Sequence, residues 1–244
     1  MALLSDRLKA VAEMITPGQT VADIGCDHAY LPIYLIRENI SPKVIACDIN
    51  EGPVKRAKGN VDDVDLSDKI EVRQGDGLGA LLPQEARSIV LAGMGGKLMI
   101  KILEEGADIV KGAFEIIMEP QSEVAALRHF LQDNKLHIIS ENMVSEEGKF
   151  YPLIKAVHGD MRWDREIYFR YGKILLREEN PVLHEFLVFE KDYLSNLIKE
   201  LSANEESPQA FVRIEEVKTD LALNSDALAL VSETGLFEDN RVIE

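Results

Sequence analysis

Val21-Ala22-Asp23-Ile24-Gly25-Cys26-Asp27-His28-Ala29-Tyr30-Leu31-Pro32 carries an apolar strand through an acid and a glycine into the start of a helix. A strand that turns on glycine into a helix is the first ligand-binding turn of a doubly wound α/β domain. Only one glycine stands here where a dinucleotide fingerprint has three, so the tight cradle for a pyrophosphate is missing.

On either side of this turn, short apolar runs alternate with helical spacings, the pattern of βαβ units around a mostly parallel sheet. Leu4, Leu8, Val11 and Ile15 space an entry helix that Ser5 can cap and Pro17-Gly18 can stop. Strands are predicted at 20–24, 43–47, 69–73, 88–92 and 114–118, with helices near 31–38, 53–60, 97–110 and 122–133. Two extended runs, 136–143 and 150–157, flank Ser145-Glu146-Glu147-Gly148 and read as a β-hairpin, which puts one antiparallel strand into the sheet. The expected fold class is therefore α/β, a Rossmann-like, mostly parallel sheet with an antiparallel hairpin at its end, over 1–160. From 161 to 244 the strands stop. Leu183, Phe186, Leu187, Leu194, Leu197, Ile198 and Leu201, then Phe211, Ile214, Val217 and Leu221, recur at threes and fours. They predict a C-terminal helical, coiled-coil-like domain of two antiparallel helices joined by Ala203-Asn204-Glu205-Glu206-Ser207-Pro208.

Hydrophobic residues make up 46% and charged residues 29% of the chain, as in ordinary soluble proteins, and no apolar run approaches the roughly 20 residues that cross a bilayer. Met1-Ala2-Leu3-Leu4-Ser5-Asp6-Arg7 lacks the basic start and apolar core of a secretion signal, so a cytoplasmic protein without membrane attachment is expected. Cys26 and Cys47 both fall at ends of core strands, where free cysteine packs as a small apolar group. No second Cys/His pair at ligand spacing accompanies them, and no metal is expected. The formal net charge of −16 argues at face value against a polyanionic partner. Local charge differs: 161–177 holds Arg162, Arg165, Arg170, Lys173 and Arg177 against Asp164 and Glu166, which fits either a phosphate contact or a solvated face.

Doubly wound sheets bind ligands beyond the carboxyl ends of their strands. Four successive strand ends carry glycine or acid: Gly25 to Tyr30, Asp48-Ile49-Asn50, Gly75-Asp76-Gly77-Leu78 and Gly93-Met94-Gly95-Gly96. Asp48 stands 23 residues past Gly25, where a carboxylate accepts from both hydroxyls of a ribose; capping the next helix is its plainer role. Asp76 suits the exocyclic amine of adenine, although Gly-Asp-Gly is also an ordinary turn. Asp23 suits orienting the loop or meeting a ligand's amino group. Asp27 and His28 stand where a pyrophosphate binder has small residues, and an acid there repels phosphate and favours a cation. The expected cofactor is therefore S-adenosyl-L-methionine, which carries a sulfonium and no pyrophosphate, in preference to a nicotinamide dinucleotide.

Asp23-Ile24-Gly25-Cys26-Asp27-His28-Ala29-Tyr30-Leu31-Pro32 together with Leu91-Ala92-Gly93-Met94-Gly95-Gly96 resembles the TrmK family, bacterial tRNA (adenine(22)-N(1))-methyltransferases, and the resemblance extends over essentially the whole chain. It implies a class I methyltransferase domain followed by a helical one, S-adenosyl-L-methionine as donor and an adenosine of the tRNA D-loop as acceptor. It also implies a cofactor pocket of Gly25, Asp48, Asp76 and the 93–96 loop, to which Asp23, Ile49 and Gly77 are added from the strand ends, with Gly93 and Gly95 the loop's contacts. Beside the acceptor, Asp27 is the expected carboxylate and Tyr30 its stacking partner. His28 fits the same role or a structural one, and Met94 fits a surface for the base or an ordinary helix start. The 93–96 loop offers backbone only, without the Asn/Asp-Pro-Pro-aromatic motif of exocyclic-amine methylation, which suits a ring-nitrogen acceptor.

Lys97, Lys101, Arg128, Arg162 and Arg165 are the expected tRNA contacts, with Lys149, Arg170 and Lys173 extending the path. The helical pair carries six more acids than bases between Glu178 and Glu206 and is a poor phosphate binder along its length. A monomer or weak homodimer is expected. The alternatives are a methyltransferase for a small molecule or protein, or a nucleotide-binding module without catalysis.

Overall fold

The computed structural model describes residues 4–203 and 208–238, so the predicted helix joint at 204–207 lies outside the described residues. Two compact units divide between Arg162 and Trp163. The first runs α1 (Asp6–Met14), β1 (Val21–Ile24), α2 (Tyr30–Arg37), β2 (Val44–Asp48), α3 (Glu51–Asp62), β3 (Ile70–Gln74), a 3-10 turn (Gly77–Ala80), β4 (Ser88–Met94), α4 (Gly96–Glu105), α5 (Ala107–Gly112), β5 (Glu115–Pro120), α6 (Val124–Asp133), β6 (Leu136–Glu146) and β7 (Lys149–His158).

The strands form one sheet in the order β3-β2-β1-β4-β5-β7-β6. β1 to β5 are parallel, and β7 runs antiparallel to both β5 and β6. Val21, Ala22, Ile24, Val44, Ile45, Ala46 and Cys47 are all buried, as a strand covered by helices on both faces requires. The hairpin closes on two residues, Glu147 (φ 50°) and Gly148 (φ 73°), both left-handed, the turn whose twist matches its strands. Chain order reverses between β1 and β4, so the crevice beyond their carboxyl ends is the natural ligand site.

Two expectations change. The helix predicted over 97–110 is two helices, because α4 ends at Gly106, where a Cβ would lie 2.5 Å from the Leu78 side chain. The strand predicted to stop at 92 continues through Gly93 and Met94. The register shifts between Ala92 and Met94, and Gly93 takes φ 76°, a bulge that a side chain would strain.

Buried polar groups fasten this sheet. Glu115 accepts from Thr16, Ser88 and Lys155, the last at 2.7 Å. Burial opposes its ionisation, but these bonds win and hold it below the usual carboxylate range. Arg128, 1% exposed, pairs with Glu141 at 2.8 Å. It therefore cannot be the surface tRNA contact its sequence suggested: α6 turns it inward against β6, where it balances a buried carboxylate.

The second unit contains α7 (Glu166–Tyr171), α8 (Lys173–Arg177), α9 (Pro181–Ser202) and α10 (Pro208–Glu238). The two short helices were not anticipated; they bury Ile167, Phe169, Tyr171, Leu175 and Leu176. In the long pair, Leu183, Leu187 and Leu194 face inward, as do Ile214, Val217, Asn224, Ala227 and Val231, whereas Phe211 is 58% exposed and off the expected stripe. Asn224 donates to the Leu187 carbonyl and to Glu190, fixing the register of the pair. Arg170 is committed to Glu190 and Asp220, each at 3.0 Å, which removes it from the phosphate path.

Candidate active site

The β1 turn is pinned to its neighbour: the Gly25 and Cys26 amides both donate to the Cys47 carbonyl, at 2.8 and 3.0 Å. Gly25 takes φ 83°, and a Cβ there would lie 3.1 Å from Met94 Cε, so glycine lets β1 and β4 end close together. Asp27 (φ 43°) and Ala29 (φ 56°) are also left-handed. Such a conformation costs alanine on the order of 1–2 kcal/mol, and full burial of Ala29 at the base of α2 holds it there.

This chain reversal lines a cavity of about 330 Å³ with Asp23, Gly25, Asp27, His28, Tyr30 and Gly93, closed by Arg7, Ala92 and Gln121. Asp23 is its most unusual group. The carboxylate is 5% exposed, and no donor of the described residues reaches it. Burial, and secondarily the negative charge of Asp48, push its pKa up to about 7.

Asp27 is exposed and shared: Oδ1 meets Arg56 Nη2 at 2.9 Å, and Oδ2 lies 3.5 Å from His28 Nε2. The His28 and Tyr30 rings stack, centroids 5.2 Å apart and 7° from parallel. Asn60 donates to the His28 carbonyl at 2.9 Å and braces the turn from α3. Met94 lies beside Gly25 at the end of β4.

The other strand ends gather as the topology dictates. Asp48 ends β2, its Oδ1 accepting from the Asn50 amide at 2.9 Å, and Asn50, not Asp48, occupies the N-cap position of α3, without a side-chain capping bond. Ile49 beside it is 54% exposed. The Gly75 amide donates to the Asp48 carbonyl, which brings Asp76 and Gly77 to the adjoining strand end; Asp76 is exposed at the start of the 3-10 turn. Gly95 precedes α4, and a Cβ on Gly96 would strike the Ser122 and Glu123 carbonyls at 2.7 Å, so close helix packing accounts for the last glycine of that loop. Lys97 and Lys101 are exposed on α4, in loose pairs with Glu123 and Glu105.

Arg7 and Glu119 escaped the sequence reading. Glu119 ends β5 fully buried, accepting from Arg7 Nη1 at 2.5 Å and from the Gly93 amide at 2.7 Å. Arg7 also lies over the Tyr151 ring, 5.2 Å from its centroid. Burial raises the pKa of Glu119 despite Arg7. Glu119 stands at a strand end, like Asp48, so the rule that flagged four strand ends flags it when extended to the fifth.

The two thiols remain free and buried; burial pushes Cys47 up to about 12 and Cys26 above the usual thiol range, so neither is a ready nucleophile. Among the described residues, no cluster of His, Cys, Asp and Glu suits a metal ion, and no helix is long and apolar enough to cross a membrane.

Residues 4–154 match the family described as a methyltransferase domain. The tRNA (adenine(22)-N(1))-methyltransferase of Bacillus subtilis is 33% identical over 230 residues, 92% of this chain and 97% of that protein. The crystal structure of the B. subtilis m1A22 tRNA methyltransferase TrmK matches with a TM-score of 0.84 at 32% identity, covering 93% of this chain and all of that one. Streptococcus pneumoniae Sp1610, solved in complex with S-adenosyl-L-methionine, matches with a TM-score of 0.83 at 31% identity over 93% of this chain and all of its own. With its strand order, its β1 turn and this whole-length likeness, the chain belongs to the TrmK family of tRNA (adenine(22)-N(1))-methyltransferases within the methyltransferase-domain proteins.

Proposed function

We propose that this protein methylates ring nitrogen N1 of an adenosine in the D-loop of tRNA, using S-adenosyl-L-methionine. The observation that carries the reading is the buried carboxylate of Asp23, without a donor, opening on the same cavity as Asp27, Tyr30 and Gly93. Such a wall attracts a cation and repels a phosphate. The donor set fits the cofactor: Asp23 for its positive end, Asp48 for ribose hydroxyls, and Ile49, Asp76 and Gly77 around an adenine, with Gly25, Gly93 and Gly95 as backbone walls.

S-adenosyl-L-methionine supplies a methyl group on a cationic sulfur. The N1 lone pair of neutral adenine takes that methyl in line, so no proton leaves beforehand and catalysis is chiefly positioning and electrostatics. Tyr30, backed by His28, gives the base a face to stack on, and Met94 lines the other approach. Asp27 accepts from the exocyclic amine and offsets the positive charge the ring acquires.

Incubation with labelled cofactor and unmodified tRNA, followed by nucleoside mass spectrometry, should yield 1-methyladenosine. Folded, cofactor-binding protein that labels no tRNA overturns the reading. For RNA holding, Arg162 is exposed, Arg165 is exposed beside Tyr168, and Lys97 and Lys101 have only weak surface pairs to exchange for phosphates. The double change Arg162→Glu and Arg165→Glu is expected to weaken tRNA binding about tenfold and to flatten its salt dependence by about two counterions, with cofactor affinity unchanged. An unchanged tRNA Kd in a filter-binding titration rejects these contacts.

A further inference from the structure

Tyr30 also lines a second, larger cavity of about 570 Å³, formed with residues of α1, α2 and α3. Leu4, Ile33 and Val64 give it an apolar lining, and Tyr34, four residues after Tyr30, lies on the same helix face. Lys9 and Arg37 supply cations, while Glu38 and Asp63 supply acids. The volume suits a small planar group, since ligand pockets run from about 300 to 1,000 Å³.

Two links join this cavity to the acceptor site. The Tyr30 ring lines both cavities, and Asn60, which lines the second, donates to the carbonyl of His28, which lines the first. With one side of Tyr30 stacked on His28, the ring is still 43% exposed. A base drawn out of an RNA stack leaves its neighbour without a partner, and single-stranded RNA is gripped by stacking such bases on aromatic side chains.

We infer that the second cavity receives the base of a nucleotide adjacent to the target adenosine, stacked on Tyr34, with its backbone phosphate at Lys9 and Arg37. The inference rests on the proposed RNA methylation. The carboxylates of Glu38 and Asp63 accept hydrogen bonds but cannot donate them, so the cavity favours a base edge that presents N–H donors.

The test compares Tyr34→Ala, Tyr34→Phe and Arg37→Glu with the unaltered protein in methylation of unmodified tRNA, alongside calorimetric cofactor binding. Tyr34→Ala and Arg37→Glu are each expected to raise the KM for tRNA about tenfold, the scale of one lost base stack. The kcat at saturating tRNA and the cofactor Kd should stay within twofold, and Tyr34→Phe, which keeps the stacking face, should match the unaltered protein. With 2-aminopurine at each neighbour of the target in turn, one position should change emission on binding, and Tyr34→Ala should abolish the change. If the unaltered protein methylates tRNA while both Tyr34→Ala and Arg37→Glu keep KM within twofold, the inference is overturned and the function stands. Weakened cofactor binding with unchanged tRNA KM overturns it too, by making the cavity part of the cofactor site. If the unaltered protein methylates no tRNA, the functional reading fails and the inference falls with it. Because Arg37 is exposed, its variant tests the idea even where Tyr34→Ala folds poorly.

Discussion

Asp27→Ala is expected to lower kcat for tRNA methylation about 100-fold, with the cofactor Kd changed less than about threefold. Methyl transfer to N1 leaves a cationic ring, and a carboxylate at its exocyclic amine stabilises that charge and can take the departing proton. Positioned acid-base groups contribute about 10²–10⁴ in rate. The low end applies here because Asp27 is half-exposed and already divided between Arg56 and His28. Asp27→Asn, which keeps an acceptor but loses the charge, should fall between the two. Single-turnover rates with preformed cofactor complex make the comparison, and full turnover in Asp27→Ala removes that carboxylate from the chemistry.

Asp23→Asn should reshape the pH dependence of both stability and cofactor binding. In the folded protein Asp23 keeps its proton up to about pH 7, whereas the unfolded chain releases it near the model-peptide pKa of about 4. Between those values the unfolded state binds fewer protons, so stability falls as pH rises and levels off above 7. A shift of this size corresponds to as much as about 4 kcal/mol. Urea unfolding should therefore show Asp23→Asn and the unaltered protein nearly equal near pH 4 and the variant distinctly more stable at pH 8. Cofactor binding moves oppositely: a cation drives Asp23 to its charged form, so unaltered affinity should rise from pH 6 to 8 with proton release. The variant should bind weakly and without that rise. Equal stability gaps at pH 4 and 8 would show that Asp23 does not titrate on folding.

The elements that could be read in advance are those whose cause is local. β1 and β2 are buried on both faces and so appear as apolar runs, broken within β1 by Asp23, and Glu147-Gly148 closes the hairpin through its own backbone preferences. The strand-end acids and glycines at 23, 25, 48, 76 and 93 follow from where parallel strands deliver their carboxyl ends. Other features depend on partners far along the chain. Arg128 resembles a solvent-facing cation until β6 sets Glu141 against it, and the break at Gly106 answers to Leu78. Arg56 sits 29 residues from Asp27, with nothing in its spacing to announce the pair.

The Arg7 to Glu119 bond spans 112 residues, and the Arg7 amide reaches Glu146 across 139. During synthesis the first helix emerges long before either acid, so the cavity wall it belongs to cannot assemble until β5 and then β6 have been made. A nascent chain ending before Glu119 already has the Gly25 turn and Asp48, yet nothing to seat Arg7 or hold the Gly93 amide. Long-range closure of this kind is a late step in folding. Competence for methyl transfer is thereby tied to a nearly finished sheet.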